Sequence, residues 1–233
     1  MKVRDYQTYL AALGYELAVD GAHGRATAAA VVDFQRRHGL DADGIVGPLT
    51  SAALRAALEK HAAGAMEAQD WIHTPDTYGL CLAYVLDLWA DAGARETEGE
   101  NRGAWVRAIG RRAGVSPTEG RPWCGIAMMA ADAVVRDWTG RITPGDLWHP
   151  AVDTIVARAR ARNLFCPGAA IARPGDAVVT RRAAGDWSHV AIVTERTPTG
   201  LRVVSGNSGD QVRALGVTTV NLDTIRLTAL ESP

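Results

Sequence analysis

Three residues of this 233-residue chain have types that could form a thiol-based hydrolytic site: Cys124, His189 and Asn207, in that order. A cysteine attacks a carbonyl carbon as a thiolate, an imidazole can take the thiol proton, and a third polar group can hold the imidazole in one tautomer. The alternative interpretation is structural. Cysteine is among the most buried residue types, and a single histidine at the start of a strand is often an ordinary surface group.

The residues after Cys124 predict a helix that begins at the cysteine. The apolar residues that share one face at helical spacing are Ile126, Met129, Ala130, Ala133 and Val134. Unpaired N–H groups and the positive end of the helix dipole would then favour the thiolate, so we expect a lowered thiol pKa. Trp123, directly before the cysteine, is a candidate for substrate contact, with a packed core tryptophan as the alternative.

His189 opens a β-branched run over 190–194, which the turn signals of 197–200 separate from a second run over 201–205. This pattern predicts an antiparallel hairpin. Asn207 follows the second strand by two residues, which could bring its side chain to the imidazole. Asp186 and Asp210 are the other candidates for the third group.

Several short motifs carry a resemblance to a known family. They are EGENRG at 98–103, WV at 105–106, PWC at 122–124, RPGDAVV at 173–179 and SHVAIV at 188–193. Over most of residues 92–213 the chain resembles the CHAP branch of the NlpC/P60-type peptidoglycan hydrolases. The resemblance implies a papain-like fold, with Cys124 as nucleophile and His189 as base. The acidic residue and the asparagine that follow in that family fall here on Ser205 and Asn207, so the orienting role is assigned to Asn207.

The N-terminal residues contain a repeat. The sequences DGAHG at 20–24 and DGIVG at 43–47 start 23 residues apart, and each follows an amphipathic helical segment. With a third helix over 50–58, a small three-helix bundle is predicted. Residues 3–58 resemble the type 1 peptidoglycan-binding domain, which implies bacterial peptidoglycan as the partner.

These patterns predict an α+β chain with three parts: a peptidoglycan-binding domain at 1–58, a linker at 59–75, and a cysteine hydrolase domain at 76–233 in which helices pack on an antiparallel sheet. The expected activity is hydrolysis of a peptidoglycan amide, either as an endopeptidase or as an N-acetylmuramoyl-L-alanine amidase. The alternative is a non-catalytic wall-binding or virion protein with a degenerate hydrolase domain.

Composition weighs against several other classes. The net charge is −1 and the only lysines are Lys2 and Lys60, so neither nucleic-acid binding nor a cationic membrane segment is expected. The three cysteines form no CxxC pair and the six histidines no HxxxH pair, which disfavours a disulfide framework, a zinc ribbon and a metal hydrolase. The proposed chemistry requires no cofactor.

The first residues lack the apolar core of a signal peptide, and no apolar run reaches the roughly 18 residues of a membrane span. We therefore expect synthesis in a host cytoplasm and release to the wall through holin-type pores, as for a phage endolysin. No membrane insertion is expected, and the protein is expected to be a monomer.

Overall fold

The computed structural model describes residues 1–67, 75–116, 118–140 and 143–230. Its α-helices are α1 (Val3–Ala12), α2 (Arg25–Arg37), α3 (Pro48–Glu67), α4 (Tyr78–Asp91), α5 (Ala104–Arg112), α6 (Cys124–Thr139) and α7 (Val152–Ala161). Its strands are β1 (Phe165–Cys166), β2 (Ala177–Ala183), β3 (Asp186–Thr197), β4 (Gly200–Ser205), β5 (Arg213–Val217) and β6 (Leu222–Ile225), followed by a short 3-10 helix at Leu227–Leu230. The predicted α+β class is confirmed.

The first Asp-Gly loop is closed by a buried glutamine that the sequence pattern did not single out. The Gln7 amide nitrogen donates to Asp20 Oδ1 at 2.9 Å and to Thr27 Oγ1 at 3.0 Å. The backbone N–H of Gly21 donates to Gln7 Oε1 at 2.7 Å. The N–H of Ala22 lowers the pKa of the Asp20 carboxyl, so the loop holds a charged aspartate.

The second loop repeats this arrangement. Gln35 donates to Asp43 Oδ1 at 2.9 Å and to Thr50 Oγ1 at 3.2 Å, and the N–H of Gly44 donates to Gln35 Oε1 at 2.9 Å. The N–H of Ile45 lowers the pKa of Asp43 in the same way. The repeated motif therefore folds the loops between helices, and each buried amide has its hydrogen-bond partners.

Helix α3 runs from Pro48 to Glu67, past the predicted helix end at residue 58. Its second half packs against α5, where the His61 imidazole meets the Trp105 ring edge-on. His61 Nε2 also lies 3.0 Å from the carbonyl oxygen of Ala92, the residue that follows α4. One hydrophobic core includes residues from Tyr6 to Leu227. The predicted boundary at residue 58 thus falls inside a helix. The division of the chain into three parts remains a prediction. Residues 68–74 of the predicted linker, including His73, lie outside the described ranges.

An arginine joins the N-terminal helices to the rest of the chain. The Arg107 guanidinium on α5 contacts Glu59 of α3 at 2.9 Å, Glu98 at 3.2 Å and Glu119 at 2.5 Å. From α1, the Tyr9 hydroxyl donates to Glu98 at 2.6 Å. Burial raises the pKa of Tyr9 to about 12, so this hydroxyl stays a donor.

The six strands form one antiparallel sheet in the order β1-β6-β2-β3-β4-β5. The predicted hairpin is confirmed as β3–β4, with Ile192 opposite Val204. Helices α4 and α6 pack against β3 on the side of the main core. A smaller cluster forms separately, from Ala169, Ala172, Val178, Ala191, Val193, Leu201, Val203 and Leu222. The antiparallel sheet with packed helices matches the predicted architecture.

Helix α4 approaches the segment before β2 so closely that only glycine fits at position 79. A Cβ there would overlap the carbonyl group of Gly175. We predict that Gly79→Ala lowers the free energy of unfolding by about 2–3 kcal/mol, because backbone must move to admit the methyl group. Chemical denaturation measures this change.

The matched control is Gly64→Ala on α3, where an added Cβ would meet nothing within 4 Å. Because alanine favours helix more than glycine does, we expect no loss and a gain of up to about 1 kcal/mol. Equal destabilisation by the two substitutions would contradict the close approach at position 79.

Candidate active site

Cys124 is the first residue of α6, as predicted. The first backbone hydrogen bond of the helix runs from the N–H of Ala127 to the carbonyl oxygen of Trp123 at 2.8 Å. The N–H groups of the first turn therefore have no acceptor within the helix. The cysteine is only 2% exposed, so its thiol lies just beneath the surface.

The Cys124 sulfur lies against the backbone on both sides of His189. Its Sγ is 4.0 Å from the Ser188 carbonyl oxygen, and the Val190 N–H lies close enough to stabilise a negative sulfur. Burial raises the pKa of the thiol, and the N–H groups of Val190, Gly125 and Cys124 itself lower it by less. Burial thus outweighs the lowering of the thiol pKa that was expected from the helix N-terminus, and the resting thiol is protonated at neutral pH.

Two glycines allow this helix end to approach its neighbours. A Cβ at Gly125 would overlap the carbonyl oxygen of His149, and one at Gly206 would press on Ala127 and on the Trp123 ring. The segment around His149 and the segment after β4 therefore pack directly on the start of α6. A larger side chain at either glycine would displace the backbone beside the cysteine.

His189 lies on β3 opposite Thr180, and its ring is held from β4. Its Nε2 is 3.0 Å from the Ser205 hydroxyl oxygen, and Ser205 is fully buried. Because side chains alternate along strands, the pairing of Ile192 with Val204 places His189 and Ser205 on the same face of the hairpin. Burial lowers the pKa of His189 below its ordinary value of 6.5, so the resting ring is neutral.

Asn207 follows β4 with a left-handed backbone, φ 56°. Its side-chain nitrogen donates to Asn101 Oδ1 at 3.0 Å. The structure thus places the Cys124 sulfur against the backbone on either side of His189 and gives the hydrogen bond on Nε2 to Ser205, while Asn207 holds a different segment. The alternation of residues along β4 was the signal in the sequence that could have singled out Ser205.

The other candidate residues have partners elsewhere. The Asp186 carboxylate pairs with Arg182 at 2.8 Å, and the Asp210 carbonyl oxygen accepts a hydrogen bond from the Glu96 N–H at 2.7 Å. His149 lies between α6 and α7, and its Nδ1 accepts a hydrogen bond from the Ala151 N–H at 3.0 Å.

Trp123 is fully buried, as expected from the alternative interpretation of this residue as a packed core tryptophan. Its indole N–H donates to Glu96 Oε1 at 2.9 Å, and Glu96 Oε2 accepts the backbone N–H of Asn101 at 2.9 Å. The backbone is left-handed at Gly99, Glu100 and Asn101, with φ of 68°, 49° and 60°. Glu96 therefore links the residue before the cysteine to an unusually shaped segment, and no sequence pattern had indicated it.

A buried carboxylate anchors the chain that leads to His149. Tyr78 donates to Asp132 Oδ1 at 2.5 Å, Thr143 donates to Asp132 Oδ2 at 3.2 Å, and the Trp148 indole donates to the Tyr78 hydroxyl oxygen at 2.7 Å. Burial raises the pKa of Asp132, although the Tyr78 hydrogen bond acts in the opposite direction. This network fixes the path of residues 143–148 beside α6.

Within the described ranges, no three His, Cys, Asp or Glu side chains are grouped so that they could hold a metal ion. Among the helices of the described residues, none combines the length and the apolar character that a membrane span needs.

Comparison with known proteins identifies the N-terminal part. Residues 2–54 match the family model described as "Putative peptidoglycan binding domain". The resemblance predicted for residues 3–58 is therefore confirmed over nearly all of its length. Bacterial peptidoglycan is the partner that this domain indicates.

A stretch of 65 residues is 48% identical to a protein of Bacillus licheniformis named "Probable N-acetylmuramoyl-L-alanine amidase". The stretch covers 27% of this chain and 18% of that protein, so the match spans less than a fifth of the relative. No solved structure shows a significant match to the chain.

The raised pKa of Cys124 leads to a prediction for its reactivity. Because the thiolate is the nucleophile, the rate of alkylation by iodoacetamide should keep rising as the pH increases from neutral past the ordinary thiol value of 9.0. Peptide mass spectrometry of timed samples measures this rate, with the half-buried Cys166 of β1 as a control in the same molecule. A rate that levels off below neutral pH would show a thiolate at rest and contradict the prediction.

Proposed function

We propose that the chain is a peptidoglycan hydrolase that cleaves an amide bond by cysteine nucleophilic catalysis. The observation that carries the proposal is the position of the Cys124 sulfur at the start of α6, against the backbone that flanks His189. The peptidoglycan-binding domain at 2–54 would hold this site on its polymeric substrate. The predicted CHAP-type resemblance assigns the same two residues as nucleophile and base.

In the first half of the reaction, Cys124 Sγ forms a bond to the amide carbonyl carbon as His189 takes the thiol proton. The backbone N–H of Cys124 donates to the developing oxyanion. The imidazolium then gives its proton to the leaving nitrogen, the C–N bond breaks, and the amine departs. A thioester on Cys124 remains.

In the second half, a water molecule gives a proton to His189 and its oxygen bonds to the thioester carbonyl carbon. The C–S bond breaks, the carboxylic acid product leaves, and the sulfur regains a proton from the imidazolium. The balance is one amide and one water converted to one carboxylic acid and one amine, which needs no cofactor.

Ser205 takes the orienting role in this proposal. If His189 accepts the thiol proton at Nδ1, its Nε2 must carry the other hydrogen and donate it to the Ser205 oxygen. A hydroxyl fixes the ring without adding charge, which suits a resting pair of neutral thiol and neutral imidazole. Asn207 contributes by tying the end of the hairpin to Asn101, and Trp123 supports the cysteine from within the core.

The relative's name favours one bond over the others. An N-acetylmuramoyl-L-alanine amidase cleaves the amide that joins the sugar to its peptide, and we propose this bond as the first candidate. An endopeptidase would instead cleave a peptide bond within the stem or the cross-bridge. Mass spectrometry of digested peptidoglycan separates the two, because an amidase releases whole stem peptides and an endopeptidase leaves peptide fragments on the sugar.

A non-catalytic wall-binding protein is the second candidate. Two observations favour it: Cys124 is only 2% exposed with a raised thiol pKa, and an uncharged serine is the hydrogen-bond partner of His189. A carboxylate in that place would stabilise the imidazolium more strongly. The two candidates differ in whether purified peptidoglycan is cleaved at all.

We predict that Cys124→Ala lowers the rate of peptidoglycan cleavage at least about a thousandfold, because the nucleophile is lost, and leaves wall binding unchanged. Fragment release by mass spectrometry and co-sedimentation with the wall measure the two properties. Cys166→Ser is the matched control and should keep both. Cleavage that persists in Cys124→Ala would exclude the proposed nucleophile, and binding without cleavage by the wild type would support the second candidate.

We also predict that Ser205→Ala lowers kcat/KM about tenfold, because the imidazole loses the hydrogen bond that orients it. The pH profile gives the second readout. His189 must be neutral to act as base, and burial lowers its pKa, so the wild-type acidic limb should lie below pH 6.5. A merely structural role for Ser205 would predict a loss of folded protein in thermal unfolding, with unchanged kcat/KM for the folded fraction.

A further inference from the structure

A cavity of about 380 Å³ lies between the N-terminal helices and the segment 97–102. Its lining includes Lys2 and Tyr9 from the start of the chain, Arg55 from α3, and Thr97 and Arg102 from the segment. The cavity is therefore built jointly by the peptidoglycan-binding domain and by the part of the chain that surrounds the candidate active site.

The charges of the lining leave the cavity positive. Two carboxylates line it, but both have partners: Asp5 accepts the backbone N–H of Lys2 at 3.0 Å, and Glu98 accepts hydrogen bonds from Tyr9 and Arg107. The side chains of Lys2, Arg55 and Arg102 are exposed at its edge. Three cationic and two anionic side chains give the lining one net positive charge, with Arg55 beside Glu98, and this balance favours an anionic guest.

The segment that lines the cavity also has hydrogen bonds to residues around the candidate active site. Arg102 directly follows Asn101, whose side chain accepts from Asn207. At the other end of the segment, Glu96 holds the indole of Trp123, the residue before Cys124. The segment therefore connects the cavity to the structure around Cys124.

We propose that the cavity is a subsite for a free carboxylate of the peptidoglycan stem peptide, with Arg55 and Arg102 as its recognition residues. This proposal rests on the proposed function, since it assumes a peptidoglycan substrate at Cys124. It assigns to the N-terminal helices a part in substrate recognition beyond attachment to the wall. A guanidinium can form paired hydrogen bonds with a carboxylate and cannot form them equally with an amide.

The test uses the full chain with Cys124→Ala, which prevents turnover, and two soluble muropeptides that differ only in whether the stem carboxylates are free or amidated. Isothermal titration should show about tenfold tighter binding of the free acid, the size expected for one charge-assisted contact. Adding Arg55→Ala or Arg102→Ala should abolish this preference, and the preference should weaken as salt increases.

Lys60→Ala is the matched control, because Lys60 is also an exposed cation of α3 but lines a different cavity. It should retain the preference, and thermal unfolding should show every variant folded. Equal binding of the two muropeptides, binding of neither, or a preference that survives both arginine substitutions would overturn the proposal. Cleavage by the wild type is measured separately, so a protein that prefers the free acid without cleaving it would refute the proposed function and leave the subsite standing.

Discussion

The close packing of the N-terminus of α6 on the start of β3 is the contact on which the candidate site depends. It places the Cys124 sulfur against the backbone around His189, with the cysteine buried and the histidine partly buried. Gly125 and Gly206 let two further segments pack on the same helix start, because a Cβ at Gly125 would overlap the His149 carbonyl oxygen and one at Gly206 would press on Ala127 and the Trp123 ring. Burial then determines the chemistry of the pair, since it raises the pKa of the thiol and lowers that of the imidazole.

A neutral resting pair has consequences for how such a site could work. The thiolate would form only as substrate arrives and the imidazole takes the proton, with the N–H groups at the helix start ready to stabilise the charge. The serine on Nε2 is compatible with this arrangement, because it orients the ring without holding it as an imidazolium. A carboxylate at the same place would instead favour an ion pair at rest.

The N-terminal helices are more than a separate tether in this fold. Helix α3 continues into the predicted linker as far as Glu67 and shares its core with α5, and Arg107 joins Glu59 to Glu98. The segment that starts at Glu96 therefore has the peptidoglycan-binding helices on one side and Trp123 on the other.

The sequence by itself determined the local features. Helical periodicity placed Cys124 at a helix start, two β-branched runs separated by turn residues predicted the β3–β4 hairpin, and the repeated Asp-Gly motif indicated the N-terminal bundle. These patterns depend on neighbours a few residues apart, so they can be read along the chain.

Only the tertiary structure decided which polar groups meet. It paired His189 with Ser205 instead of Asn207 and engaged Glu96 with Trp123. It also extended α3 beyond residue 58, because α5 covers the second half of the helix. These outcomes depend on contacts between segments distant in sequence and on the burial that follows from them, and local patterns contain neither.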